Sequence, residues 1–227
     1  MIPVVPMVRH LTQTAKALAL AVVGAATEQM IDAAERIVAE RGFSAMTVRA
    51  VQEAAGQANK SAVQYHFGDR DGLIRAVLQR RMAVPNQQRT SMLLSLDEDC
   101  TLRDLVEVYV LPLAESVQSR QPSYWARFLL QAVSDPKVGH TALELVESEA
   151  FRATQRRLHS RLADVPEPLR AHRLSSALGY VCTALAAYEV TGAPGGLSAS
   201  AFNTDLVDTC VGLLGAASTI SRKELPC

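Results

Sequence analysis

Three glycines, Gly42, Gly56 and Gly68, cut residues 28–84 into pieces that suit only small helices, and each cut is followed by a side chain able to start the next helix. Before the first cut, Met30, Ile31, Ala34, Ile37 and Val38 recur at spacings of three and four, the apolar stripe of an amphipathic helix over 28–41. Gly42 ends it, as a residue free to take a left-handed conformation does. Thr47 is a good N-cap for a second short helix lined by Val48, Val51, Ala54 and Ala55. Gly56 closes that helix, Asn59 caps a third over Lys60–Phe67, and Gly68 breaks it. Asp69 caps a fourth, with Asp71 in its first turn, which should run to about Val84 before Pro85. Second and third helices joined by so short a turn make a helix-turn-helix.

Beyond Pro85, the breakers Pro122, Pro136, Pro166, Pro168 and the Gly192–Gly196 stretch delimit helical segments near 87–96, 102–118, 123–134, 139–163, 168–191 and 201–219. Pro112 should kink or interrupt the second of these, because it has no amide to donate to the carbonyl one turn earlier. Leu143, Val146, Ala150, Ala153, Leu158 and Leu162 give 139–163 an apolar face. In 168–191, Leu174, Leu178, Val181 and Leu185 do the same, and Ala177, Gly179, Ala184, Ala186 and Ala187 allow another helix to approach closely.

Hydrophobic residues make up 48% of the 227, charged residues 20% and aromatics 5%, which excludes a disordered chain and disfavours a sheet protein. The fold class expected is all-α: a headpiece over 28–84 and a larger helical body over 85–227, with residues 1–27 as an extension, helical or disordered. Lys plus Arg and Asp plus Glu are both 23, so no global charge points to nucleic acid; the split after Arg81 gives only +3 in front and −3 behind. Cys100, Cys182, Cys210 and Cys227 show no metal or disulfide spacing, so neither metal nor cofactor is expected and a reducing, cytoplasmic setting fits. Arg9, His10 and Lys16 ahead of the apolar run Ala17–Ala26 have the outline of a secretory signal, but the run is too short to span a bilayer, and no membrane partner is expected.

A DNA-reading helix must be short, show polar side chains to base edges, and be braced by a partner helix with an apolar inner face. Lys60, Ser61, Gln64 and Tyr65 meet the first demand, while Ala62, Val63 and Phe67 can brace. Lys60 could bond a guanine edge or a phosphate and Gln64 an adenine edge. Tyr65 and His66 suit phosphate positioning or packing, Thr47 can present its hydroxyl and helix N-terminus to a phosphate, and Arg49 and Arg70 are phosphate candidates. Gly-aromatic at Gly42-Phe43, Thr47-Val48, Ala55-Gly56, Tyr65-His66-Phe67 and Asp69-Arg70-Asp71-Gly72-Leu73 follow one another in order, and the run from Ile31 to about Val77 resembles the DNA-binding signature of the TetR/AcrR family of bacterial transcriptional regulators. The stretch from Gly56 to Phe67 is one residue longer than the commonest form of that signature, which leaves the docking register open. The resemblance implies Thr47, Arg49, Asn59, Lys60, Ser61, Gln64, Tyr65, His66 and Arg70 as the DNA-contacting set.

The same resemblance implies double-stranded operator DNA as partner and a homodimer through the helices near 139–163 and 168–191. It further implies a small apolar or amphipathic effector in the body whose binding moves the two heads apart, and a repressor released by that effector. Tyr109, Trp125, Phe128, Leu129, Phe151, Tyr180 and Tyr188 are the candidate pocket lining, with plain core packing as the other reading. Two rival functions are a small helical enzyme using a cysteine with His140, His159 or His172, and an exported helical binding protein. No G-x-S-x-G, H-E-x-x-H, Walker or dinucleotide loop supports the enzyme.

Overall fold

The computed structural model describes residues 24–57, 61–139 and 148–220. Among these residues there are only helices, turns and loops. The chain divides into two compact units, Met1–Val77 and Leu78–Cys227, so the division falls inside a helix and ahead of the Pro85 boundary suggested by sequence.

In the first unit, α1 is helical over 24–41, and residues 24–27 therefore continue the first helix instead of belonging to an extension. The role expected for residues 1–23 lies outside the described residues. A 3-10 turn, Phe43–Ala45, leads to α2, Val48–Ala54, then α3, Ala62–Phe67, and the start of α4, Arg70–Leu94. Met30, Ala34, Ile37, Val38, Met46, Val51, Val63, Leu73 and Val77 form a small core with almost no exposed surface. The α1 stripe therefore meets Val51 of α2 and Val63 of α3, whereas Val48 and Ala54, expected on the inner side of α2, face solvent, Val48 with 40% of its surface exposed.

The second unit holds the rest of α4, then α5, Leu102–Gln118, α6, Trp125–Ser134, α7, Glu149–Arg161, α8, Glu167–Thr191, and α9, Ala199–Gly215. Helix α5 packs against α7, α8 and α9, and α6 lies along α8. Starts are set by side chains: Thr101 and Asp104 form a capping box on α5, while Ser148 and Ser198 accept from the Phe151 and Ala201 amides at α7 and α9. Ser148 has an extended backbone, so the continuous helix expected over 139–163 is broken there, and residues 140–147 lie outside the described set.

Two prolines behave differently from the sequence expectation. Helix α4 continues through Pro85 to Leu94, merging the expected 70–84 and 87–96 segments, and α5 is uninterrupted at Pro112. The reason at Pro112 is a distant side chain. Proline deprives the Val108 carbonyl of its helical donor, and Arg89 on α4 supplies another, donating through Nε to Val108 O (3.3 Å) and through a terminal nitrogen to Tyr109 O (3.5 Å). Arg89 is 1% exposed, donates also to Asn86 Oδ1, and lies over the Phe151 ring, 5.1 Å from its centroid. Burial pulls its guanidinium down to about 10, still charged at neutral pH.

Helix α6 is anchored from the opposite end of the sequence. Its first turn offers amides without helical acceptors, and the Glu189 carboxylate of α8 takes them: Ala126 N at 2.7 Å and Arg127 N at 3.0 Å. Ser123 Oγ donates to the same carboxylate at 2.6 Å and Arg127 Nε at 3.3 Å, and the Glu189 side chain is fully buried.

Candidate nucleic-acid interface

The helix-turn-helix is built by local chemistry. Thr47 accepts from the Ala50 amide at 3.1 Å and so opens α2, as its residue type requires. The turn after α2 reverses at Gly56 (φ 64°), where the Gln57 amide donates back to Gln52 O at 2.9 Å. That positive φ is why a glycine stands there. Gln57 also donates its side-chain amide to Gln29 Oε1 on α1 at 3.0 Å, tying the turn to the first helix.

Helix α3 is sharply two-sided. Ala62 and Val63 are buried, Val63 completely, whereas Ser61, Gln64 and Tyr65 face solvent and Tyr65 is 79% exposed. The packing role considered for Tyr65 is thus not what the structure has. The helix begins at Ala62, not at Lys60, and Ser61 at its start makes no side-chain capping bond. Asn59 and Lys60 lie outside the described residues, so the capping role expected of Asn59 does too.

The other expected residues fall into two groups. Thr47 and Arg49 are exposed at the start of α2, and Arg49 Nε lies 2.7 Å from Glu53 Oε1 one turn on, a solvent-facing pair that raises the Arg49 pKa through that hydrogen bond. Such an exposed pair contributes little to stability. His66 and Arg70 are instead tied into the headpiece. His66 Nδ1 is 3.3 Å from Thr27 Oγ1 of α1, and its ring sits edge-on to Tyr65. Arg70 donates to Met46 O at 3.2 Å and Phe43 O at 2.8 Å and lies over the Phe43 ring, fastening the α1–α2 connection to α4. Asp69 Oδ1 accepts from Gly72 N at 2.7 Å, the cap expected for α4.

In the body, five of the seven residues expected to line a pocket are core. Tyr109, Trp125, Phe128, Leu129 and Phe151 are at most 3% exposed, with Tyr109 stacked on Phe151 and Trp125 on Phe128. Tyr180 and Tyr188 are half-buried, and Tyr188 tilts against Phe202. Trp125 also lines a pocket of about 210 Å³ with Val84, Ser116 and Ser123, and a cleft of about 450 Å³ opens between α7 and α8, beside Arg152, Arg156 and His159. The signal for the cleft was present: two arginines and a histidine, at 152, 156 and 159, recur at helical spacing on one face of α7. Of the rival enzyme residues, Cys182 and Cys210 are buried, and burial pushes their thiols up to about 12 and about 11, so neither forms a thiolate nucleophile at neutral pH. Among the described residues no group of His, Cys, Asp or Glu could hold a metal, and no helix is long and apolar enough to cross a membrane.

Residues 30–77 match the family of bacterial regulatory proteins, tetR family. Among solved structures, the TetR-family transcriptional regulator PfmR from Thermus thermophilus is similar with a TM-score of 0.50 and 18% identity, over 80% of this chain and 96% of that one. A structural-genomics structure of a protein described as a transcriptional regulator from Streptomyces coelicolor gives 0.45 and 17%, over 85% of this chain and 98% of that one. No curated protein matches the chain.

Proposed function

We propose that this chain, a DNA-binding transcriptional regulator carrying the TetR-family headpiece in residues 30–77, is a cytoplasmic homodimeric repressor released from its operator by a small apolar or amphipathic effector. The observation that carries the reading is the sidedness of α3: Val63 is wholly buried against the headpiece core while Gln64 and Tyr65 stand out in solvent. A six-residue helix with that pattern, braced by α2, has the form needed to enter a major groove. Gln64 then reads a base edge beside Lys60, Tyr65, Ser61, Thr47 and Arg49 hold phosphates, and His66 and Arg70 keep the reading helix in place. Replacing Gln64 by alanine is expected to weaken specific binding by about 1–3 kcal/mol and to relax sequence preference. Arg49→Ala should weaken specific and nonspecific DNA alike and flatten the salt dependence. Gel-shift titrations at two salt concentrations measure both, and unchanged sequence preference in Gln64→Ala would show the docking register to be wrong.

One head covers only a few base pairs, so useful affinity calls for two heads on half-sites roughly 34 Å apart or a multiple of that. The seam we propose runs along α8, which leaves Ser176, Gly179, Thr183 and Ala187 at helical spacing on its outer side. A side chain added at Gly179 would meet nothing within 4 Å, and the same is true of Gly212 on α9. Helix α9 is therefore a better second member of the seam than the 139–163 segment named from sequence, because α7 turns the half-exposed Arg152 and Arg156 outward. Gly179→Leu is expected to shift the protein toward monomer in sedimentation and to lower operator affinity with it. A variant that stays dimeric would place the seam elsewhere.

The regulatory step follows from linkage. An effector that prefers the low-affinity conformation lowers operator affinity by the same factor by which operator lowers effector affinity.

A further inference from the structure

We infer, resting on the reading that the body holds an effector, that the α7–α8 cleft is its site and that it takes an anionic amphiphile: one negatively charged head on an apolar body. The cleft volume of about 450 Å³ is that of a small-molecule site. Among the described residues its lining brings two guanidiniums and an imidazole, Arg152, Arg156 and His159, and no carboxylate. Leu174 and Ala171 supply apolar surface on the α8 side, and Gln155 and Ser175 supply neutral hydrogen-bonding groups. Forked guanidiniums one turn apart suit a carboxylate or phosphate head, and repel an ammonium.

Glu149 pairs with both arginines, at 2.7 Å to Arg156 and 3.7 Å to Arg152, and the Arg156 hydrogen bond holds its carboxyl below the usual range. One negative charge against two guanidiniums leaves the site positive. The pair is solvent-facing and weak, so a bound head displaces or shares it at little cost.

The floor of the cleft ties it to the core. Leu174 O accepts from the Tyr109 hydroxyl at 3.3 Å, and Gln155 bonds the same hydroxyl. The Tyr109 ring stacks on Phe151 at 5.0 Å, and Arg89 of α4 covers Phe151 while bonding the α5 carbonyls at Val108 and Tyr109. An occupant that shifts Gln155 or Leu174 therefore acts on a buried, fully engaged set that ends on α4.

The test is calorimetric titration of the full-length protein with sodium decanoate, decylammonium chloride and inorganic phosphate. Wild type is compared with the double variant Arg152→Gln/Arg156→Gln and with Ala171→Trp, which fills the cleft from its exposed edge, and circular dichroism confirms that each is folded. Decanoate is expected to saturate at one per chain, phosphate to bind at least tenfold more weakly, and decylammonium not to saturate. Both variants should lose at least tenfold in decanoate affinity. Equal decanoate binding in a folded variant, decylammonium binding as tight as decanoate, phosphate binding as tight as decanoate, or no saturable decanoate heat would each overturn the inference. A parallel operator titration separates the two levels: decanoate that binds in the cleft and leaves operator affinity unchanged upholds the ligand class and removes the effector-release reading.

Discussion

Replacing Glu189 by leucine is expected to destabilise the helical body by about 3–5 kcal/mol, the usual cost of removing one partner from a buried charge pair. The side chain has no solvent exposure, and it satisfies two N-terminal amides of α6, the Ser123 hydroxyl and the Arg127 guanidinium. Leucine fills similar space and would gain apolar burial. That gain is about 2 kcal/mol at most, against two part-buried amides left without acceptors at about 1–3 kcal/mol each and a cation without its partner. Arg127, 24% exposed, can turn to water, whereas the Ala126 and Ser123 donors sit in buried residues and cannot. Glu189→Gln keeps the shape and one acceptor oxygen, so its loss should be smaller, about 1–3 kcal/mol. Thermal unfolding would show the leucine variant lowered by roughly 10 °C or more. A shift of a degree or two would mean that α6 is held by packing alone.

The second large effect concerns the headpiece and runs against helix propensity. Gly72 lies in the first turn of α4, where alanine would ordinarily be worth about 1 kcal/mol in favour of the helix. Here a Cβ would overlap the carbonyl oxygen of Phe67, the last residue of α3, which is backbone and cannot rotate aside. Relief requires moving either the end of α3 or the start of α4. Gly72→Ala is therefore expected to cost about 1–3 kcal/mol of headpiece stability, and to displace α3 enough to reduce operator affinity by about a hundredfold, the equivalent of about 2.7 kcal/mol. Retained helix content in the body, with operator binding lost, would be the signature. Unimpaired binding would show that the α3–α4 turn can yield without moving the reading helix.

The headpiece was legible in sequence because nearly every determinant is local. Thr47, Gly56 and Asp69 act on amides and backbone within a few residues of themselves, and the α1 stripe Met30, Ala34, Ile37 and Val38 buries as its spacing requires. The body was less legible because its determinants come from far along the chain. Pro112 reads as a helix break until Arg89, more than twenty positions earlier, supplies the missing donor. Glu189 lies near the end of α8, yet it caps a helix more than sixty residues before it. Tyr109, Trp125, Phe128 and Phe151 favour core over pocket lining on type and spacing, and in the structure they are buried and stacked in pairs. The α7–α8 cleft is marked by charged residues, which a search for apolar linings passes over.

Footprinting of the purified protein on DNA flanking its own gene, at two salt concentrations and with nonspecific competitor, tests the central claim most directly. The account predicts a protected near-palindrome whose half-sites lie about one helical turn or a multiple of it apart, with protection that weakens as salt rises and is lost in Gly72→Ala. Absence of protection there and on a pool of genomic fragments, by a protein shown to be folded, would contradict it.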